Sequence, residues 1–232
     1  GNESLAFTQV ITVQDTEDPV ADQITGELND VLECDDVDGL AASLALAPAF
    51  SDNCDVNVPA IAGATISTKG VDPEACDYYN YTITRTWTGV DACGNESLVY
   101  TQVITVQDTE DPLVDQTENE LNDVLECDDT DGLAAALALA PTFNDNCDAN
   151  VQAIAGATVS SKGVDPEACE YYNYTITRTW TGMDACGNES LLYTQVITIQ
   201  DTKDPVADQI TGELNDVLEC YDTDGLAAAL AL

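Results

Sequence analysis

Polar and apolar residues alternate with a period of two through Tyr79–Trp87: Tyr79, Tyr81, Ile83 and Trp87 share one parity, and Asn80, Thr82, Thr84 and Thr86 the other. That period, carried by residues that favour extended backbone, predicts a β-strand. Leu98–Val106 repeats the signal, with Leu98, Tyr100, Ile104 and Val106 expected on one side. Between the two lies Asp91-Ala-Cys-Gly-Asn95, which has turn chemistry, so the pair predicts a hairpin. Asp38–Ala47 differs in being rich in Ala and Leu, with an Asp available as cap and Pro48 as stop. It predicts a short helix, with a buried strand as the alternative.

These patterns recur. Gly-Asn-Glu-Ser begins at Gly1, Gly94 and Gly187, and Glu-Leu-Asn-Asp-Val-Leu-Glu-Cys at Glu27, Glu120 and Glu213, a constant spacing of 93 residues. Residues 19–111 and 112–204 are roughly four-fifths identical. A unit this long exceeds the ~20–50 residues of solenoid repeats, so each copy is expected to be its own domain. The boundaries fall at Asp15–Pro19, Asp108–Pro112 and Asp201–Pro205, where proline suits a short stiff linker. The expected organisation is therefore 1–18 as the last strand of one repeat, 19–111 and 112–204 as whole repeats, and 205–232 as the start of another. It reads as a window on a longer array.

Composition narrows the function classes. Against 44 Asp and Glu stand 5 Lys and Arg and no His, a net charge of −39. Nucleic acid needs a basic footprint and is excluded as a partner; docking on anionic membrane is equally disfavoured. No stretch approaches the ~18 apolar residues of a membrane span, so direct insertion is not expected. A hydrophobic content of 44% opposes disorder.

Nine cysteines divide as Cys34, Cys54, Cys76 and Cys93 in one repeat, Cys127, Cys147, Cys169 and Cys186 in the next, and Cys220 beyond. Even sets at fixed spacing suggest two disulfides per repeat and an extracellular setting. Zinc would need closer ligand pairs, usually with His. The fold expected is all-β: tandem immunoglobulin-like β-sandwich repeats of about 93 residues, each with two disulfides and one short helix. In that topology Cys54 and Cys93 share one pole and Cys34 and Cys76 the other. The expected pairs are therefore Cys34–Cys76, Cys54–Cys93, Cys127–Cys169 and Cys147–Cys186, with Cys220 left without a partner.

Carboxylates gather at the pole that receives the linker: Asp15 and Asp18, the loop Asp52, Asn53 and Asp55, and Asp91 with Asn95. The next repeat supplies Asp108, Asp111, Asp145, Asn146, Asp148, Asp184 and Asn188. Converging hard oxygens suit calcium, which takes 6–8 of them; a solvated acidic surface is the competing reading. Lys203 in place of Glu17 and Glu110 shows that position to be dispensable as a ligand. Cys34-Asp-Asp-Val-Asp-Gly39 begins like an EF-hand loop, but Ala45 stands where the bidentate Glu is required.

Arg85 and Arg178 share the parity of Trp87 and Trp180, which favours stacking or pairing within the domain over anion binding. Without His, and with the complete-repeat cysteines assigned to disulfides, there is no positioned base or thiolate nucleophile, and no enzyme is expected. Duplicated acidic loops suit reach and avidity better than glycoside hydrolysis. Asn80 and Asn173 head formal glycosylation sequons.

The stretch Thr84–Ser97, with Thr101–Pro112, Glu33-Cys-Asp and Asp52-Asn-Cys, resembles the HYR-like, immunoglobulin-type repeats of giant secreted Bacteroidota surface proteins, including SprB-like gliding-motility adhesins. The Ala/Leu-rich segment departs from that pattern. The resemblance implies export by the type IX route and display as a cell-surface filament that acts as a stalk for attachment or gliding. Its partners would be neighbouring repeats of the same chain, other copies in a filament, or surface glycans. Two alternatives remain: a glycan- or mineral-binding module using its acidic loops, and a spacer in a secreted polysaccharide-degrading enzyme.

Overall fold

A computed structural model describes residues 1–206, 215–218 and 220–231. The first unit runs β1 (Val20–Ala21), β2 (Asp30–Glu33), α1 (Val37–Ala45), β3 (Phe50–Ser51), β4 (Ala60–Ser67), a 3-10 turn at Cys76–Tyr78, β5 (Tyr81–Gly89) and β6 (Tyr100–Gln107). The second repeats it with β7 (Leu113–Val114), β8 (Asp123–Glu126), α2 (Thr130–Ala138), β9 (Phe143–Asn144), β10 (Gln152–Ala155), β11 (Val159–Ser160), a 3-10 turn at Cys169–Tyr171, β12 (Tyr174–Met183) and β13 (Tyr193–Gln200). In each unit a sheet ordered β2-β6-β5-β4, or β8-β13-β12-β10 with β11 also on β12, faces a two-stranded ribbon, β1-β3 or β7-β9. The chain is therefore all-β with short helices. A third helix, α3 (Thr223–Ala229), follows Cys220. The Glu213 copy of the repeated run lies partly outside the described residues.

The predicted hairpin forms, with β5 antiparallel to β6 from Tyr81↔Val106 to Trp87↔Tyr100. Its turn closes through Gly94 at φ +91°, a conformation that favours glycine. The buried face of β6 is Tyr100, Gln102, Ile104 and Val106, whereas Leu98 precedes the strand and is 91% exposed. The helix also forms, with Asp36 as its N-cap accepting from Gly39 N at 2.8 Å and Pro48 after its end.

One apolar cluster of the first unit is Phe50, Trp87 and Tyr100, with Ala21, Leu28 and Val58 around them, and Tyr79, Ile104 and Val106 are buried outside it. Gly89 is required beside Phe50, because a Cβ there would lie 2.6 Å from the ring. A buried polar hub extends this core. Fully enclosed Gln102 donates to the Leu28 carbonyl at 2.7 Å and the Ser43 carbonyl at 3.1 Å. Its Oε1 accepts from Arg85 at 3.0 Å, and Arg85 also donates to the Leu46 carbonyl and stacks over Trp87 at 4.6 Å. Sheet, helix end and β2 loop are thus tied through one side chain. Gln195 and Arg178 repeat the arrangement. The arginines stack as expected from their parity.

Two sequence-based expectations fail. Residues 1–18 carry no strand, although Thr8–Gln14 is identical to Thr101–Gln107 of β6. A strand is satisfied by its neighbours, and β6 has β5 and β2 beside it, while residues 1–18 make no strand pairing among the described residues. The disulfide pairing also differs. Instead of Cys34–Cys76 and Cys147–Cys186, Cys34 bonds Cys147 (Cα–Cα 6.0 Å) and Cys76 bonds Cys186 (4.4 Å), both across the junction between units. Neither Cys54–Cys93 nor Cys127–Cys169 forms; these four are unpaired, as is Cys220. The physical reason is strand order. Cys34 leaves β2 and Cys76 leads toward β5, with β6 between them. The two cysteines therefore leave from strands that are not neighbours, β2 and β5, which stand two strand spacings, about 9.6 Å, apart.

Truncating the hub tests its weight. Gln102→Ala strands two buried carbonyls and an arginine, and should cost about 2–4 kcal/mol in urea unfolding of the whole chain. A loss under 0.5 kcal/mol, on the order of an ordinary surface change, would show that the hub is not a structural tie.

Candidate cation site at the junction

Three segments of the second unit's pole meet the end of the first unit. The linker begins at Asp108, whose N–H donates to Asn80 Oδ1 at 2.5 Å. The loop after β9 folds on Asp145, whose Oδ1 accepts from the Cys147 and Asp148 N–H groups, both at 2.9 Å. The β12–β13 turn folds on Asp184, which accepts from Asn188 N at 2.8 Å and Asn188 Nδ2 at 2.7 Å. Short side chains capping the following backbone are what Asx-type turns use. Asp148 buttresses the loop against the turn through Ala185 N at 2.9 Å. Between units, Asn150 donates to Glu74 at 3.0 Å, and Asn188 donates to the Asp108 carbonyl at 3.3 Å.

The outcome is a carboxylate triad. One oxygen each from Asp108, Asp145 and Asp184 lies within 4.8 Å of the others. Asp108 is 3% exposed, and its Oδ2 and that of Asp145 are buried with no hydrogen-bond partner. Two carboxylates at that separation repel by about 3.5 kcal/mol at an effective dielectric of ~20. Burial, followed by the charges of Asp145 and Asp184, pushes the Asp108 carboxyl up to about 7. Cys34 and Cys147 adjoin Asp108, but their sulfurs are bonded to each other and are not available as ligands.

The other residues expected here play different parts. Asp148 and Asn188 brace the triad, while Asp111 and Asn146 are exposed. In the first unit Asp15 and Asp52 approach each other beside Cys54. Asp91 is held by Asn95 at 2.7 Å, Asp55 accepts from Ala92 N, and Asp18 and Asn53 are exposed. No strand precedes Asp15 to set it as β6 sets Asp108, and Asp91 is not part of that cluster. In the sequence Asn80 carries only a sequon signal; its role as the anchor of Asp108 is a tertiary contact, repeated where Asn173 accepts from Asp201 N at 3.0 Å.

A family model, HYR-like domain with 4 cysteines, matches residues 118–199. No curated protein matches the chain. Among solved structures, the chain is similar to Drosophila N-cadherin EC1-4 at 10% identity and a TM-score of 0.27, over 80% of this chain and 51% of that one. It is also similar to Protocadherin Gamma B7 extracellular cadherin domains 1-4 at 13% identity and a TM-score of 0.28, over 83% and 55%. The chain spans about half the length of each.

The raised carboxyl sets a pH dependence for protein held in EDTA. Between the ordinary aspartate value of ~3.9 and about 7, folded Asp108 holds a proton that the unfolded chain has lost. That stabilisation is full below the lower value and is lost as pH rises through the upper one. Melting temperature should therefore increase when pH falls from 8 to 5.5, and Asp108→Asn should flatten the change; an equal slope in both proteins would sink the assignment to Asp108.

Proposed function

We propose that the chain is a non-catalytic segment of an extracellular stalk, displayed at a cell surface as part of an adhesin or filament, in which calcium stiffens the junctions between repeats. The observation that carries the cation is the pair of buried, unpartnered oxygens, Asp108 Oδ2 and Asp145 Oδ2, in the triad with Asp184. Leaving such atoms unpaired costs about 1–3 kcal/mol or more each, and a hard dication satisfies both while cancelling the repulsion. Asp108, Asp145 and Asp184 would be the protein ligands, with water completing the 6–8 oxygens calcium takes.

The protein's own cations are already committed. Lys69 and Lys162 lie over Tyr78 and Tyr171, Arg85 and Arg178 over Trp87 and Trp180, and Lys203 pairs with Asp128. With a net charge of −39, the compensation at the junction has to come from solution. The match to a HYR-like domain and the disulfides support the extracellular setting. Attachment or gliding is the mechanical use to which a repeated, stiff segment is suited.

Calcium at 100 times its Kd should raise the melting temperature by roughly 5–10 °C over EDTA, and small-angle scattering should report a stiffer particle. Asp108→Asn should abolish the calcium response while melting higher than the parent in EDTA at pH 8. If calorimetry detects no binding and neither profile moves, the cation reading is wrong and disulfides with packing set the stiffness.

A further inference from the structure

The four unpaired cysteines of the two whole units fall into two sets. Cys54 and Cys93 occupy the outer pole of the first unit, and Cys127 and Cys169 the outer pole of the second; all four are exposed. Each is the repeat counterpart of a cysteine bonded at the central junction: Cys54 of Cys147, Cys93 of Cys186, Cys127 of Cys34 and Cys169 of Cys76.

Their local settings match those of the bonded residues. Cys54 N donates to Asp52 at 2.8 Å, as Cys147 N does to Asp145 at 2.9 Å. Cys93 and Cys186 sit in turns with Gly94 at φ +91° and Gly187 at φ +88°. Cys34 and Cys127 follow equivalent strands, β2 and β8, and Cys76 and Cys169 open equivalent 3-10 turns. Asn80 and Asn173 donate to the sulfurs of Cys76 and Cys169 at 3.0 and 3.1 Å.

The linker leaving each unit is held alike as well. Asn80 fixes Asp108 and Asn173 fixes Asp201, while Thr109 bonds Glu33 as Thr202 bonds Glu126. A following repeat is therefore launched from the second unit as the second is launched from the first. Sequence of the same repeat lies on both sides, at residues 1–18 and 205–232.

We propose that both outer poles are docking surfaces for a further repeat of the same kind, adjacent along the polypeptide, and that each docks through two disulfides. Cys127 and Cys169 accept the Cys147-type and Cys186-type cysteines of the following repeat, and Cys54 and Cys93 accept the Cys34-type and Cys76-type cysteines of the preceding one. The array is then a continuous covalent ladder, with two cross-links at every junction and none within a repeat. Each bond forms by thiol–disulfide exchange: two protein thiols lose two protons and two electrons to a disulfide oxidant, which is released as two thiols. Partial desolvation first, and then neighbouring carboxylates, raises the Cys54, Cys93 and Cys127 thiols, so exchange should be slow at neutral pH and faster in mild alkali. The proposal is independent of the cation.

The test compares the 232-residue chain with the same chain extended after Leu232 by a second copy of residues 140–204, which completes the third repeat. Both are refolded in a glutathione redox buffer at pH 8.5, alkylated, digested without reduction and mapped by mass spectrometry. In the shorter chain Cys34–Cys147 and Cys76–Cys186 peptides are expected, with Cys127 and Cys169 alkylated. In the extended chain Cys127 should move into a peptide with the added copy of Cys147, and Cys169 into one with the added copy of Cys186. Cys54 and Cys93 should stay alkylated in both. Recovery of Cys127–Cys169 or Cys54–Cys93 peptides, or alkylated Cys127 and Cys169 in the extended chain, would overturn the ladder. Far-ultraviolet circular dichroism of Cys127→Ser/Cys169→Ser in the extended chain separates loss of the cross-links from loss of the fold.

Discussion

Two disulfides across one junction constrain nearly everything else that is specific to this chain. They bring the lower pole of one unit, Cys34 and Cys76, against the upper pole of the next, Cys147 and Cys186. The contact would otherwise be poor, since it is lined by carboxylates in a chain of net charge −39. Covalent bonds hold Asp108, Asp145 and Asp184 at a separation that mutual repulsion opposes, and so create the unsatisfied site that a dication can fill. The cross-links thus account for the closeness of the carboxylates whatever neutralises them.

Apolar burial in each unit is divided along the sheet, with Phe50, Trp87 and Tyr100 at one end of the first unit and Ile104 and Val106 farther along β6. Between them lie the buried Gln102 amide and the half-buried Arg85 guanidinium, whose bonds reach the helix and the β2 loop. Such a network is directional where an oily core is not, and it fixes where α1 sits on the sheet. The recurrence of the same bonds at Gln195 and Arg178 gives both units nearly the same poles. Cross-links at successive junctions require that sameness, because a disulfide tolerates only a narrow range of Cα separation.

Identical sequence takes different states along this chain. Thr8–Gln14 is without a strand where Thr101–Gln107 is a central strand, and Cys54 is free where Cys147 is bonded. In both comparisons the local residues are the same and the neighbour differs. Extended backbone needs a hydrogen-bonding partner and a thiol needs a second thiol, and neither lies within the segment itself.

Period-two alternation at Tyr81–Trp87 and Tyr100–Val106, the Asp-capped Ala/Leu run and the 93-residue repeat determined the hairpin, the helix and the tandem organisation from the sequence alone, because each is a local property of a few consecutive residues. The acidic loops were legible for the same reason, whereas the placing of the cysteines at two poles came from the sandwich topology expected of the repeat. Tertiary structure alone decided which cysteines bond, which carboxylates are buried and what Gln102 does. The first depended on β6 standing between the chain paths of Cys34 and Cys76, the second on one unit's end closing over the next, and the third on a glutamine occupying an inward position that alternation would assign to an apolar residue. These are relations between residues 17 to 113 positions apart, and no periodicity within a strand or loop encodes them.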